Sequence, residues 1–202
     1  MGFIEKPASK NSMAKRKKIL GVGINDADYM LTYYVNKKLI KCPYYSRWTS
    51  MLYRCYNDKF HIKCPTYKDC SVCESWLLFS NFKSWMVEQD WKENHLDKDL
   101  LFENNKIYSP ETCIFIPQSI NSLLTESDAI RGKYKIGIHY DKNLNKFCAQ
   151  CRFDNKKIHL GRYLTEDEAY EAYRIFKKRV ITEYSSMYSE FKKYLIAYSY
   201  RI

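Results

Sequence analysis

Between residues 132 and 163 the chain adopts a period of two and keeps it through three runs. They are Ile136-Gly-Ile138-His-Tyr140, Lys146-Phe-Cys-Ala-Gln-Cys-Arg-Phe153 and Lys157-Ile-His-Leu-Gly-Arg-Tyr163. Successive side chains of a strand point to opposite faces, so each run presents one apolar and one polar face. Asn143-Leu-Asn145 and Asp154-Asn155 read as the turns between them, giving a three-stranded antiparallel sheet. Thr165-Glu-Asp-Glu168 is a capping box that opens a long helix. Its apolar stripe runs through Ala169, Tyr173, Phe176 and Val180 to Tyr184, Met187, Phe191 and Tyr198, with a break expected at Ser185-Ser186. Such a sheet needs cover on its apolar face, and this helix is the element at hand. Alternation sends Phe147, Ala149 and Cys151 toward the helix and leaves Lys146, Gln150 and Arg152 on the open face. Cys148 and Cys151, though spaced C-x-x-C, then face opposite ways and do not chelate together.

This module resembles the Apetala-type DNA-binding domain of plant ethylene-response factors, which also occurs in phage and mobile-element nucleases. The matching words are GIHY, KFCAQCR, IHLGRY and TEDEAYEAY, over about fifty residues of the chain. In that family the open sheet face lies in the DNA major groove. The resemblance implies base or phosphate contacts from His139, Gln150, Arg152 and His159, and phosphate contacts from Lys142 and Lys157. Arg pairs with guanine and Gln with adenine by bidentate bonds, so the face is able to carry sequence information. The family often has Arg and Trp where this chain has His139 and His159, which implies a different target.

A second informative stretch is residues 95–121. His95, Asp97 and Asp99 alternate with Leu96, Lys98 and Leu100, so an extended run places the three polar side chains on one face. A turn-rich link, a second apolar run Cys113-Ile-Phe-Ile116 and a helix opened by Pro117 and carrying Asn121 follow. Oxygen ligands on a strand and a helix are a way to hold one hard cation beside a phosphate. The words Leu96-Asp97-Lys98-Asp99, Tyr108-Ser109-Pro110-Glu111-Thr112-Cys113 and Asn121 resemble those of HNH (ββα-metal finger) nucleases. That resemblance implies Mg²⁺ or Mn²⁺ on Asp97 and Asn121, with Asp99 adding a ligand or orienting water. The family's catalytic His normally follows the Asp directly, where this chain has Lys98, and its loop-bracing Asn is Thr112 here. The general base is therefore open between His95, on the face of Asp97, and Lys98.

Eight cysteines in a chain with no apolar secretion signal point to metal or reduced thiols. One tetrahedral zinc on Cys70, Cys73, Cys113 and Cys55 is expected, with His61 or Cys64 as alternatives for the fourth place. Buried free thiols are the other reading. The helix from Pro43 repeats Trp48, Met51, Leu52 and Cys55 at helical spacing. Ser80 reads as the cap of another helix, with Phe82, Trp85 and Met86 buried; these aromatics are core rather than a stacking platform.

The net charge of +11 is unevenly spread. Residues 1–41 carry nine Lys/Arg against three acids, 42–131 ten against twelve, and 132–202 fifteen against eight. Basic ends around a slightly acidic middle suit a protein that grips a polyanion at its flanks. The expected division is a mobile basic arm (1–41), an HNH-like core (42–128), the DNA-binding module (132–182) and a terminal helix (183–202). The expected fold class is α+β, a ββα-metal core plus a three-stranded sheet on a helix. The expected function is sequence-specific, metal-dependent cleavage or nicking of double-stranded DNA, of phage or homing type. The protein would act as a monomer or dimer in bacterial or phage-infected cytoplasm, with no membrane span and no small-molecule substrate. The rival is a DNA-binding regulator with a degenerate nuclease fold. An RNA-associated protein fits less well, because RNA's deep, narrow major groove excludes a sheet.

Overall fold

The structure, a computed structural model, describes residues 2–124, 132–153 and 156–202. It is mixed α and β, in two compact units, Met1–Ile116 and Pro117–Ile202.

The first unit opens with α1 (Lys10–Ala14), capped by the Ser9 hydroxyl, which accepts from Ser12 N–H. The hairpin β1 (Thr32–Val35) and β2 (Lys38–Lys41) follows, its turn made by Asn36 and Lys37, both at positive φ. These residues do not form the detached arm that the lysine-rich sequence suggests. Arg16 donates to the carbonyls of Ala27 and Tyr29, Met30 N–H to Lys6 O at 2.8 Å, and Ile4 N–H to the Tyr33 hydroxyl. Ala27 and Tyr29 are buried, and Phe3, Ile19 and Val22 pack on the core, so apolar burial outweighs the repulsion among the lysines.

Next come α2 (Pro43–Tyr56) and α3 (Asp58–Lys63). Pro43 sits at the first turn of α2, where its missing N–H costs nothing, and Trp48, Met51, Leu52 and Cys55 form the buried stripe. After β3 (Ser71–Val72) and a 3₁₀ turn, α4 runs Phe79–Val87. Its start is capped from a distance: the Asp26 carboxylate accepts from Ser80 N–H at 2.9 Å, so Ser80 lies inside the helix and is not its N-cap. Trp48 Nε1 donates to Trp76 O at 2.7 Å, and Trp48, Trp76, Phe79, Phe82 and Met86 fill the core, as the aromatic spacing predicts.

Three short strands carry the 95–121 stretch: β4 (Asn94–Asp97), β5 (Ile107–Tyr108) and β6 (Ile114–Pro117). β4 pairs with β6, while β5 pairs in parallel with β3. The helix α5 (Gln118–Leu124) follows and opens the second unit, whereas the expected boundary grouped it with β4. Its anchor explains this. Ile120 and Leu123 are buried, and the buried Lys177 ammonium donates to Leu123 O.

In the second unit β7 (Ile138–Asp141), β8 (Lys146–Phe153) and β9 (Lys156–Tyr163) form the antiparallel sheet in the order β7-β8-β9. The helix α6 (Glu166–Met187) packs across it, opened by the Thr165/Glu168 capping box, a feature worth about 1 kcal/mol. The expected break at Ser185-Ser186 is absent, because both hydroxyls donate back to Thr182 O and stay within the helix. The turn comes after Met187, and α7 (Lys192–Ser199) folds back on α6. Among the described residues no helix is long and apolar enough to cross a membrane.

Candidate nucleic-acid face and candidate phosphate site

The open face of the sheet follows from its register. Arg152 pairs with Lys157, Gln150 with His159, Cys148 with both His139 and Arg162, and Lys146 with Asp141. Directly opposed residues share a face, so these side chains form one surface. Arg152, Lys157, His159, His139, Arg162 and Lys146 are exposed, and Gln150 is half-buried. Lys142 is exposed in the β7–β8 turn, which the Asp141 carboxylate closes by accepting from Asn143 and Leu144 N–H. None of the cations on the strands is in an ion pair among the described residues. The acids of the first turn of α6 are occupied instead: Lys135 bonds Glu166 through its N–H and Asp167 through its ammonium. The surface is therefore a row of unpaired donors at a polyanion's disposal.

Arg162 is the residue that alternation misses. Counting by twos from Lys157 and His159 puts it on the helix side. The ladder slips between Ala149 and Gln150, where Ala149 pairs with Gly161 and Gln150 with His159, so Leu160 is an extra residue in β9. This bulge returns Arg162 to the face of His159. Gly161 makes it possible: its φ is +131°, and a Cβ there would stand 2.8 Å from the Tyr163 hydroxyl. The signal in the sequence is that glycine inside an otherwise alternating strand. Gly137 plays a similar part at the other edge. A Cβ on it would fall 2.3 Å from the Tyr173 ring, and its carbonyl accepts from Gln150 N–H at 2.8 Å. Cys148 and Cys151 do face opposite ways, Cys151 lying opposite Ile158 and near the Lys177 ammonium.

In the first unit β4 stops at Asp97, so His95, Asp97 and Asp99 do not share one strand face. The Asp97 carboxylate is the cause. Its Oδ1 accepts the N–H groups of Asp99 (2.9 Å) and Leu100 (2.7 Å) and turns the chain out of the ladder. Burial holds this carboxyl above the usual range, against the opposing pull of those two N–H groups. Leu96, Lys98 and Leu100 are buried and Asp99 is exposed. Lys98, only 6% exposed, donates to Asp99 at 2.5 Å and to Asn105 O at 2.6 Å. Burial pulls its pKa down, but the Asp99 carboxylate, with Cys70 and Tyr67 nearby, more than offsets this and raises it, which favours the charged ammonium over a proton acceptor.

His95 behaves oppositely. Burial first, then Arg47 and Arg54, push its pKa down and hold the imidazole neutral. Both arginines come from α2, and neither is paired with a carboxylate among the described residues. Arg54 reaches Leu96 O and the Tyr108 hydroxyl, each at 3.5 Å. The His95 imidazole thus lies within electrostatic reach of both guanidiniums, a grouping that the sequence hides because Arg54 stands 41 residues before His95 and Arg47 further still. The loop between the strands is braced twice. Thr112 Oγ1 accepts from Ser109 N–H and donates to Ile107 O at 2.7 Å, and Asn105 donates to Lys98 O and Ile107 O. Asn121 lies in the other unit, on α5.

Cys55, Cys70 and Cys113 are buried, and Cys55 feels both of the others; burial lifts the thiols of Cys55 and Cys113 to about 12. Cys70 Sγ donates to Thr66 O, Cys113 Sγ sits 4.0 Å from Thr112 Oγ1, and Cys73 Sγ 3.3 Å from Ser75 Oγ. His61 Nε2 bonds Arg54 O at 2.9 Å. Among the described residues no three His, Cys, Asp or Glu side chains converge as a metal-holding group. No family model, curated protein or solved structure matches the chain.

Proposed function

We propose that this protein is a sequence-specific, metal-dependent DNA endonuclease. The observation that carries the reading is the in-register face of a three-stranded sheet on which Lys146, Arg152, Lys157, His159 and Arg162 are exposed and in no ion pair among the described residues, with the half-buried Gln150 between them. Gln150 offers a bidentate amide to a base edge, Arg152 brings a guanidinium fork that fits a base edge or a phosphate, and Lys142, Lys157 and Arg162 neutralise phosphates. His139 and His159 add ring donors on the two flanking strands.

β4 and β6 are read as the two strands of a ββα-metal finger, and the resemblance names the helix that follows them, α5, as its third element. Asp97 has one oxygen committed to backbone and one left, which suits Mg²⁺, a cation that keeps several waters and takes only one or two protein ligands. The resemblance adds Asn121 as the other ligand. A bound Mg²⁺ supplies Lewis-acid polarisation of the scissile phosphate. His95, held neutral, accepts the proton of the attacking water, while Arg47 and Arg54 steady the phosphate charge. Asp99 positions Lys98 through Oδ1 and, being exposed, keeps its other oxygen to add a ligand or orient a water.

A structural zinc on Cys55, Cys70, Cys73 and Cys113 is part of the same proposal. Its support is that Cys55 is buried within electrostatic reach of both Cys70 and Cys113; the thiols would have to converge, Cys70 and Cys113 turning from Thr66 O and Thr112 Oγ1, and release their protons on binding. About one zinc per chain by elemental analysis is the expected result, and metal-free folded protein refutes it.

The regulator reading is favoured by one observation, that Asp97 and Lys98 are both engaged in holding their own loop. Supercoiled plasmid bearing a bound sequence decides between the two. Nicking or linearisation with Mg²⁺ and none with chelator supports the endonuclease. Intact plasmid with Mg²⁺ and Mn²⁺ leaves a DNA-binding regulator.

A further inference from the structure

Within the second unit a cleft of about 110 Å³ opens between α5 and the end of β8. Gln118, Ser119 and Ser122 of α5 form one wall, and Arg152 and Phe153 of β8 with Tyr184 of α6 the other. Water occupies about 30 Å³ per molecule in the liquid, so the space suits three or four water-sized groups, enough for a phosphate. The lining chemistry agrees. Arg152 brings five N–H donors and no acceptor, two serines bring hydroxyls, Gln118 brings an amide, and among the described residues no carboxylate lines the cleft. The α5 wall is held in place, because Lys177 donates to Leu123 O and Ser119 Oγ lies 3.3 Å from the Tyr188 hydroxyl. On its other side Arg152 stands opposite Lys157, so the cleft continues the cationic row of the sheet.

We propose that this cleft is a phosphate pocket that seats one backbone phosphate of bound DNA, and that Arg152 holds that phosphate instead of reading a base. The guanidinium fork matches two phosphate oxygens, and Ser119 and Ser122 donate to the remaining ones. The DNA arm of this inference rests on the duplex-binding reading above; the pocket's affinity for the phosphate group does not.

The test uses the full chain with Arg152→Gln, Arg152→Lys and Ser122→Ala, which keep side-chain bulk close to the original. Duplex affinity is measured over a salt series and over a panel of singly altered duplexes. Arg152→Gln should weaken every duplex by a common factor of about ten, with the salt slope shallower by about one. Ser122→Ala should cost every duplex about two- to threefold. Relaxed preference at one base pair, with an unchanged slope, makes Arg152 a base reader and overturns the pocket. In a separate arm, inorganic phosphate at matched ionic strength should raise the melting temperature of the wild type and not of Arg152→Gln. If the wild type binds no duplex, the DNA reading fails. An Arg152-dependent phosphate shift then assigns the pocket to free phosphate, and no shift removes it. Should Arg152→Gln fail to fold, Arg152→Lys decides through the duplex panel: it keeps the charge and the salt slope but loses the fork, so a common loss on every duplex supports the pocket and relaxed preference at one base pair overturns it.

Discussion

The two units use charged side chains in opposite ways. In the second, the cations of the sheet face are exposed and make no ion pair among the described residues, and the nearby acids are committed to Lys135. In the first, the charged side chains of the candidate site are built into the scaffold. Asp97 caps its own turn, Lys98 is buried between Asp99 and Asn105, and Arg54 reaches Leu96 O and the Tyr108 hydroxyl, while His95 is held neutral by burial and by Arg47 and Arg54. A side chain that closes a loop is poorly judged by deletion, because removing it disturbs structure and chemistry together. A side chain standing free on a sheet is judged cleanly. The variants that separate the units should therefore be chosen to keep the local hydrogen bonds.

The largest effect expected is from Asp97→Asn. The amide oxygen still accepts the N–H groups of Asp99 and Leu100, so the turn survives and a buried charge is removed. Cleavage should fall by at least about 10²–10³-fold, the scale of losing one electrostatic stabiliser, while duplex affinity stays within about twofold and thermal stability is unchanged or higher. Asp97→Ala, by contrast, should also cost about 1–3 kcal/mol of stability by stranding two N–H groups, read from denaturant unfolding. If Asp97→Asn cuts like the wild type, the carboxylate belongs to the scaffold alone.

Next in size is Trp48→Ala, expected to destabilise the first unit by about 3–5 kcal/mol. Hydrogen exchange should show protection lost around α2 and α4 and kept in β8 and α6. Loss in both together would mean that the two units unfold as one. His95→Ala and Lys98→Ala then part the base from the brace. The first should stop cutting with the fold intact, and the second should lower stability through the loop it anchors. Equal loss of cutting at unchanged stability for both would undo that distinction.

The smallest effects test the sheet. Arg162→Ala should cost about 1–3 kcal/mol of duplex binding, and Lys157→Ala should weaken all sequences alike and reduce the salt slope by about one. Gly161→Ala should reproduce much of the Arg162 loss without touching a cation, because the bulge that aims Arg162 no longer forms. Binding by Gly161→Ala equal to the wild type would show that the bulge has no part in recognition.

Local rules carried much of this fold. Period-two runs, an Asn-rich turn and a capping box specified β7, β8, β9 and the start of α6, and the Trp48-Met51-Leu52-Cys55 spacing specified α2. Each depends on contacts within a few residues, and the residues themselves report it. The placing of the lysine-rich N-terminus was decided elsewhere, by Arg16 finding the carbonyls of Ala27 and Tyr29. The start of α4 was settled by Asp26, 54 residues away from Ser80.

The candidate sites divide along the same line. Lys146, Gln150 and Arg152 could be read from alternation, because strand geometry alone fixes which face they share, while His139, Lys157 and His159 were named through the family resemblance. Arg162 could not, since one extra residue in β9 reverses the count, and only its pairing with Cys148 reveals that. His95 was visible as a residue type, but its neutrality comes from burial beside Arg47 and Arg54 of a distant helix. Lys98 was an open candidate until its burial against Asp99 and Asn105 O showed it locked in the charged form. The sequence by itself determined the elements and the periodic faces, because those follow from short-range backbone sterics. Tertiary structure decided which charges are free, because hydrogen-bond partners and desolvation are set by residues that the chain brings together only on folding.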